Sequence, residues 1–347
     1  MKRILLPTLI LIFASLACQA AQPSPTATPA PTSTSTPSPT PTLTPTPTFT
    51  PLPPTPQPIT CTDDSCLEAC IDRIKVVLAT QPFASIPESQ DASRVVELAK
   101  YKVSGDVISP LGKLGVPANY VTYQQDVDAH QRIWNYFTAI LPAGQRERIH
   151  EYLVFTDGKS DIQAWVKRSP SDPAKWSIGA DILDSRNPVL LTETLVHEFA
   201  HLLTLNTDQL EFGGQYSYVR KPGVGACPNY STRDGCTNKD SYLNQFYLKF
   251  WRPIYPEWYE NLYQGGFGLD WGLVSGFYRR YPDQFNTTYS AASPEEDMAE
   301  SFAVFILSPR PDDLLVSQKK ILFFYEYPEL VTLRQEIIQG ICAYVQE

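Results

Sequence analysis

Histidine is scarce in this chain, with four residues in 347: His130, His150, His197 and His201. Any imidazole chemistry therefore rests on these four. No pair of cysteines has C-x-x-C spacing, which argues against a cysteine zinc cluster. No basic tract is present, and 37 acidic residues outnumber 28 basic ones. An acidic surface argues against nucleic acid or anionic lipid as a partner. No segment has the uninterrupted apolar length of a transmembrane helix. The chain also lacks internal repeats, including any repeat of the cell-wall-binding kind.

The two ends of the chain differ in kind. Met1-Lys2-Arg3 is a short positive region, followed by an apolar stretch from Ile4 to Leu16 broken only by Pro7, Thr8 and Ser15. This pattern predicts an export signal over residues 1–17. Ser15-Leu16-Ala17-Cys18 resembles a bacterial lipobox, although Ser15 stands where leucine is most common. The resemblance implies lipidation of Cys18 and a membrane-anchored, extracytoplasmic protein, with plain secretion as the alternative. From residue 18 to residue 60 the chain is almost entirely Pro, Thr, Ser and Ala. Residues 22–60 hold 14 of the 32 prolines and no charge. Such a tract has nothing to bury against the entropy of ordering. It reads as an extended stalk of roughly 3.1 Å per residue, long enough to hold a domain on the order of 100 Å from its anchor. Without Lys2 and Arg3 the exported chain carries 26 basic and 37 acidic residues, a formal net of −11.

Residues 61–347 are expected to form one domain, and the six cysteines Cys61, Cys66, Cys70, Cys227, Cys236 and Cys342 favour disulfides in an exported protein. Cys227 and Cys236 flank a short loop and are predicted to pair. Cys66 and Cys70, one helical turn apart, each reach elsewhere, with Cys342 as a candidate partner. Periodicity predicts helices at 66–80, 92–101, 125–140, 188–205, 241–250, 294–307 and 327–346. Strand-like runs fall at 152–155, 162–167 and 176–182. Strands before and helices after residue 188 predict an α+β fold with a small sheet and a mostly helical second half. Trp176–Ile182 is a candidate sheet edge for an extended peptide. The aromatic run from Phe246 to Tyr263 reads as packed core rather than pocket. Asn229 and Asn286 stand in N-glycosylation sequons.

One segment carries chemistry. Thr192-Glu-Thr-Leu-Val-His197-Glu198-Phe-Ala-His201 reads H-E-x-x-H within a helix-periodic apolar run. On a helix, positions i and i+4 share a face, so His197 and His201 can point at one metal ion. Glu198 sits beside them, where a carboxylate reaches a water. Asn187-Pro188 supplies the cap and first helical residue, and Leu191, Leu195, Phe199, Leu202 and Leu205 give a buried side. His130 and His150 lie in unrelated contexts. The better third ligand is acidic. Ser293-Pro-Glu-Glu-Asp-Met-Ala-Glu300 predicts a second helix that places Glu296 and Glu300 on one face. An acidic first turn complementing the helix dipole accounts for Glu295 and Asp297.

These two helices resemble the gluzincin branch of the zincin metallopeptidases. In that branch the downstream helix reads E-x-[FM]-A or E-x-x-x-[DE], and Glu296-Asp-Met-Ala-Glu300 fits both forms. The resemblance implies Zn²⁺ held by His197, His201 and Glu296, with Glu300 orienting a histidine from behind or serving as the alternative ligand. It implies Glu198 as general base. Tyr289, seven residues before Glu296, stands where anthrax lethal factor-like peptidases carry an oxyanion-stabilising tyrosine. Asp297 departs from the phenylalanine common there, and the spacing of 95 residues from His201 to Glu296 is long. The expected function is a cell-surface zinc metallopeptidase, a hydrolase acting on peptide or protein. The alternative is a non-catalytic stalked binding module with a structural or lost zinc site. Cleavage of peptidoglycan cross-links is a third possibility.

Overall fold

The computed structural model describes residues 64–79, 95–158, 162–212, 227–263 and 270–345. The chain divides into two units, Met1–Pro53 and Pro54–Glu347, and every described residue belongs to the second. The expected export signal, Cys18, the stalk and Cys61 lie outside the described residues. Among the described residues, no helix is long and apolar enough to cross a membrane.

The fold is α+β. Helix α1 (Asp64–Ala79) precedes a hairpin of β1 (Val96–Ser104) and β2 (Val107–Pro110), then α2 (Val121–Gln125), α3 (Val127–Ile140) and α4 (Ala143–Arg146). Strands β3 (Ile149–Thr156), β4 (Ala164–Arg168) and β5 (Trp176–Asp181) complete a five-stranded mixed sheet in the order β2-β1-β3-β5-β4. Only β3 and β5 run parallel. After α5 (Pro188–Thr204) comes a two-stranded ribbon of β6 (Leu210–Glu211) and β7 (Cys236–Thr237). The described elements that follow are helices: α6 (Tyr242–Phe246), α7 (Tyr255–Trp258), α8 (Trp271–Arg280), α9 (Pro294–Leu307), α10 (Val316–Phe324) and α11 (Pro328–Tyr344). Single π turns extend α6 over Tyr247–Trp251 and α7 over Tyr259–Tyr263.

Two sequence expectations fail, each for a physical reason. The helix expected at 92–101 is strand β1. A bulge between Glu97 and Ala99 shifts the register against β3, so Leu98 and Tyr101 both face the core three residues apart. Strand alternation broken by one extra residue imitates helical spacing. The run 176–182 is not a sheet edge, because β5 lies between β3 and β4 and is buried along its length except at Ser177. The edge beside α5 is β4. Its Trp165 packs over Gly179, where a Cβ would stand 2.3 Å from the indole, so the β5 position requires glycine.

The described residues upstream of residue 140 are built into the core. Strand β1 pairs with β3, α3 packs on α11, and α1 packs on both α5 and α11. Asp126 caps α3 by accepting from Ala129 N at 3.0 Å, and Trp134, Tyr136 and Phe137 are fully or almost fully buried. Trp134 Nε1 and Arg146 Nη1 clamp the hairpin turn at Asp106, where Gly105 takes φ 61°. The aromatic run is core as expected, with Phe246, Trp251, Tyr255 and Trp258 at most 1 % exposed.

Cys227–Cys236 pair across 5.5 Å between Cα atoms, as expected. Cys70–Cys342 pair at 5.2 Å and tie α1 to α11 across 272 residues. Cys66 is also disulfide-bonded. Opening so long a loop releases much unfolded-state entropy, so Cys70→Ser with Cys342→Ser should cost about 2–5 kcal/mol. Denaturant midpoints of oxidised wild type and the double variant check this, and equal midpoints contradict it.

Candidate metal centre

Helix α5 begins where Asn187 Oδ1 accepts from Leu190 N at 3.2 Å, with Pro188 in the first turn. Leu191, Leu195, Phe199 and Leu202 bury one side of it. At its far end Asn206 Nδ2 donates to the carbonyls of Leu202 and Leu203 at 3.0 and 2.9 Å. This frame points His197 and His201 toward α9. Helix α9 is capped by Ser293, which accepts from Glu296 N at 3.3 Å, and its Met298, Phe302 and Phe305 are buried.

The four expected side chains meet. His197 Nε2 lies 3.2 Å from His201 Nε2 and 3.2 Å from Glu296 Oε2, and His201 Nε2 lies 3.3 Å from the same oxygen. Glu300 stands behind His197, with Oε1 3.0 Å from Nδ1. It is held in turn by the Thr287 hydroxyl, which donates to Oε2 at 2.7 Å. Geometry thus separates the two glutamates that the sequence left as alternatives. Only Glu296 joins the convergent triangle. His201 Nδ1 is buried without a hydrogen-bond partner among the described residues.

The triangle has the dimensions of a metal site. Zinc bonds of about 2.0–2.1 Å in tetrahedral geometry place ligand atoms about 3.3 Å apart. His197, His201 and Glu296 fit that set in both donor chemistry and spacing. The charges agree. Burial alone would lower the His197 pKa, but hydrogen bonds to Glu296 and Glu300 push it up to about 10. Burial works against ionisation of Glu296, yet the two histidines hold its carboxyl well below the usual range. The two carboxylates thus favour positive charge at the histidines.

Glu198 accepts from the backbone N–H of Val166 at 2.9 Å through Oε2. Antiparallel pairing with β5 leaves that N–H on the open edge of β4, so the edge strand aims the carboxylate. Burial raises the Glu198 pKa, and His201 and His197 draw it back. Tyr289 lies beside the triangle, with its ring 5.8 Å from His197 and stacked on Trp271 at 5.7 Å. The residue is 42 % exposed, yet burial of its phenol end, then the charges of Glu296, Glu198 and Glu300, hold its pKa above the ordinary value. The hydroxyl is therefore a donor.

Other expectations resolve as follows. His130 is a core residue between the Tyr101 hydroxyl and the Tyr123 carbonyl, and His150 contacts the Trp176 carbonyl. The acids around Glu296 do more than complement a helix dipole. Glu295 accepts from the Tyr230 hydroxyl at 3.0 Å, and Asp297 is fully buried against Lys320 and Trp251. Both sequon asparagines use their amides internally, Asn229 to the Thr237 carbonyl and Asn286 to Ser301. Asp157, Asp181 and Asp184 form a second acidic group after β3 and β5. There Asp181 accepts backbone N–H groups of Asp157, Leu183 and Asp184, and burial pushes its pKa up to about 7. Val166, Thr287 and Trp271 were not foreseen, since each acts through a backbone group or a contact distant in sequence. No protein-family model, curated protein or solved structure matches the chain.

Proposed function

We propose that this chain is a zinc-dependent peptide hydrolase of the zincin kind, displayed outside the cytoplasm on a lipid-anchored stalk. His197, His201 and Glu296 would hold the ion, whose Lewis acidity activates water and polarises a carbonyl when it is bound. Glu300 fixes the His197 ring through Nδ1, which leaves Nε2 free as a ligand atom. Glu198 accepts the proton of the attacking water and returns it to the leaving amine. Tyr289 donates its O–H to the oxyanion that develops on the substrate. Supporting the anchor are the leader and the Ser15–Cys18 motif.

The observation that carries the proposal is Glu198. It sits beside the three ligand atoms but outside their triangle, held by a single backbone N–H. A purely structural zinc site closes with a fourth protein ligand and has no use for such a carboxylate. A stalked binding module would leave Glu198 without a role.

The first experiment measures metal content and cleavage of an unstructured protein, with and without a chelator. We expect about one zinc per chain, cleavage abolished by chelation and restored by added zinc. Absence of zinc, or cleavage indifferent to chelation, overturns the proposal. The ligand assignment has its own test. Glu296→Ala should lose zinc at concentrations where wild type is saturated, whereas Glu300→Ala should weaken affinity by about 10–100-fold. The reverse ranking in a competition titration contradicts the assignment.

A further inference from the structure

Beside His197 and Glu198 opens a pocket of about 600 Å³. The first turns of α5 contribute Val189 and Leu190, and the last turns of α9 contribute Val304 and Leu307. Ile71 and Ile74 of α1 also line it. The Cys70–Cys342 bridge and the buried Leu67 and Ile74 fix that wall. One wall of the pocket is therefore a helix stapled in place, and its apolar residues suit a long aliphatic stem.

Its polar lining is one-sided. The carboxylates of Glu193, Glu198 and Glu300 line it, and among the described residues no lysine or arginine does. Two of the three are engaged: Glu198 by Val166 N–H, and Glu300 by His197 and Thr287. Glu193 makes neither hydrogen bond nor ion pair among the described residues. It stands one helical turn before His197 on the same helix face, about 5.4 Å along the axis. Although the residue is exposed, partial burial of its carboxyl, then repulsion from Glu300, raises its pKa. Among the described residues the cation acting on it is Lys75 of α1, which pairs with Asp72 at 3.3 Å. Glu193 is solvent-exposed, so its carboxylate is open to a cation that a substrate brings to the pocket.

We propose that this pocket selects a substrate residue flanking the scissile bond that has a long aliphatic stem and a cationic end, lysine or arginine, with Glu193 as its charge partner. The proposal rests on the peptidase reading above. It makes Glu193 a specificity residue, separate from the groups that act on the scissile bond.

The test uses three peptides identical except at one position flanking the cleaved bond, carrying lysine, norleucine or glutamate there. Wild type should cleave the lysine peptide with kcat/KM about two- to fivefold above norleucine, the scale of an exposed ion pair. Glu193→Gln should erase that preference while leaving norleucine cleavage unchanged, and Glu193→Lys should turn the preference toward glutamate. Equal cleavage of lysine and norleucine by wild type, or a lysine preference that survives Glu193→Gln, overturns the proposal. The inactive Glu198→Gln protein supplies a second readout, the affinity for each uncleaved peptide. If wild type cleaves none of the three but Glu198→Gln binds the lysine peptide in a Glu193-dependent way, the pocket assignment stands and the peptidase reading falls. If no peptide is either cleaved or bound, both fall.

Discussion

Glu198→Gln should keep its fold and its zinc and lose turnover by about 10²–10⁴-fold, the usual contribution of a positioned general base. Glutamine keeps the side-chain oxygen that accepts from Val166 N–H, so the contact at 2.9 Å survives. It also leaves the triangle of His197, His201 and Glu296 untouched. What disappears is the capacity to take and return a proton. Burial already raises the Glu198 pKa, which brings the group closer to a working base than an exposed carboxylate. The measurement is kcat on an unstructured protein, together with zinc stoichiometry and the unfolding midpoint of both proteins. Turnover close to wild type with intact zinc would remove Glu198 from the mechanism. A parallel loss of zinc and stability would make the effect structural.

The site was legible to the extent that it is local. His197, Glu198 and His201 are fixed by spacing within one helix, and helical geometry brings the two imidazoles together whatever surrounds them. Glu296 and Glu300 were legible as a pair on one face, but not which of them joins the histidines. That choice depends on the rotation of α9, set by groups remote in sequence. Thr287 on the far oxygen of Glu300 and the Val166 N–H on Glu198 left no trace in the pattern. A backbone donor has no sequence signature.

The same division runs through the fold. Helices with caps and clean periodicity, α5 and α9 above all, were recognisable to within a residue or two. Strand β1 was not, because its bulge spaces Leu98 and Tyr101 as a helix would and Ala, Leu, Glu and Lys are good helix formers. Pairing with β3 overrides that local preference. The place of β5 inside the sheet was likewise illegible, because an almost fully buried strand reads alike beside one partner or two. Its position matters to function, since it leaves β4 as the open edge from which Val166 reaches Glu198.

Lys320→Ala should destabilise the domain by about 3–5 kcal/mol, the scale for removing one partner of a buried ion pair. Lys320 and Asp297 are both 0 % exposed, with Nζ 2.5 Å from Oδ2. Lys320 also donates to the Gln284 carbonyl, and the Trp251 indole donates to the same Asp297 oxygen at 2.6 Å. Burial raises the Asp297 pKa and Lys320 pulls it back, leaving it pushed up to about 6. Without the ammonium, a carboxylate in the aromatic core has only the indole. The double variant Lys320→Met with Asp297→Asn removes both charges, keeps the volume and retains an acceptor for Trp251. It should recover most of the loss, because an uncharged pair avoids the desolvation that burdens a lone ion. Urea midpoints of the three proteins decide the point, and a single variant as stable as wild type contradicts it. The consequence reaches the candidate metal centre, since Asp297 follows Glu296 on α9. Trp251 and Lys320 therefore set the rotation that turns Glu296 toward His197 and His201. Lys320→Ala should weaken zinc binding at temperatures where the domain is still folded, while the double variant, with α9 seated, should bind zinc like wild type.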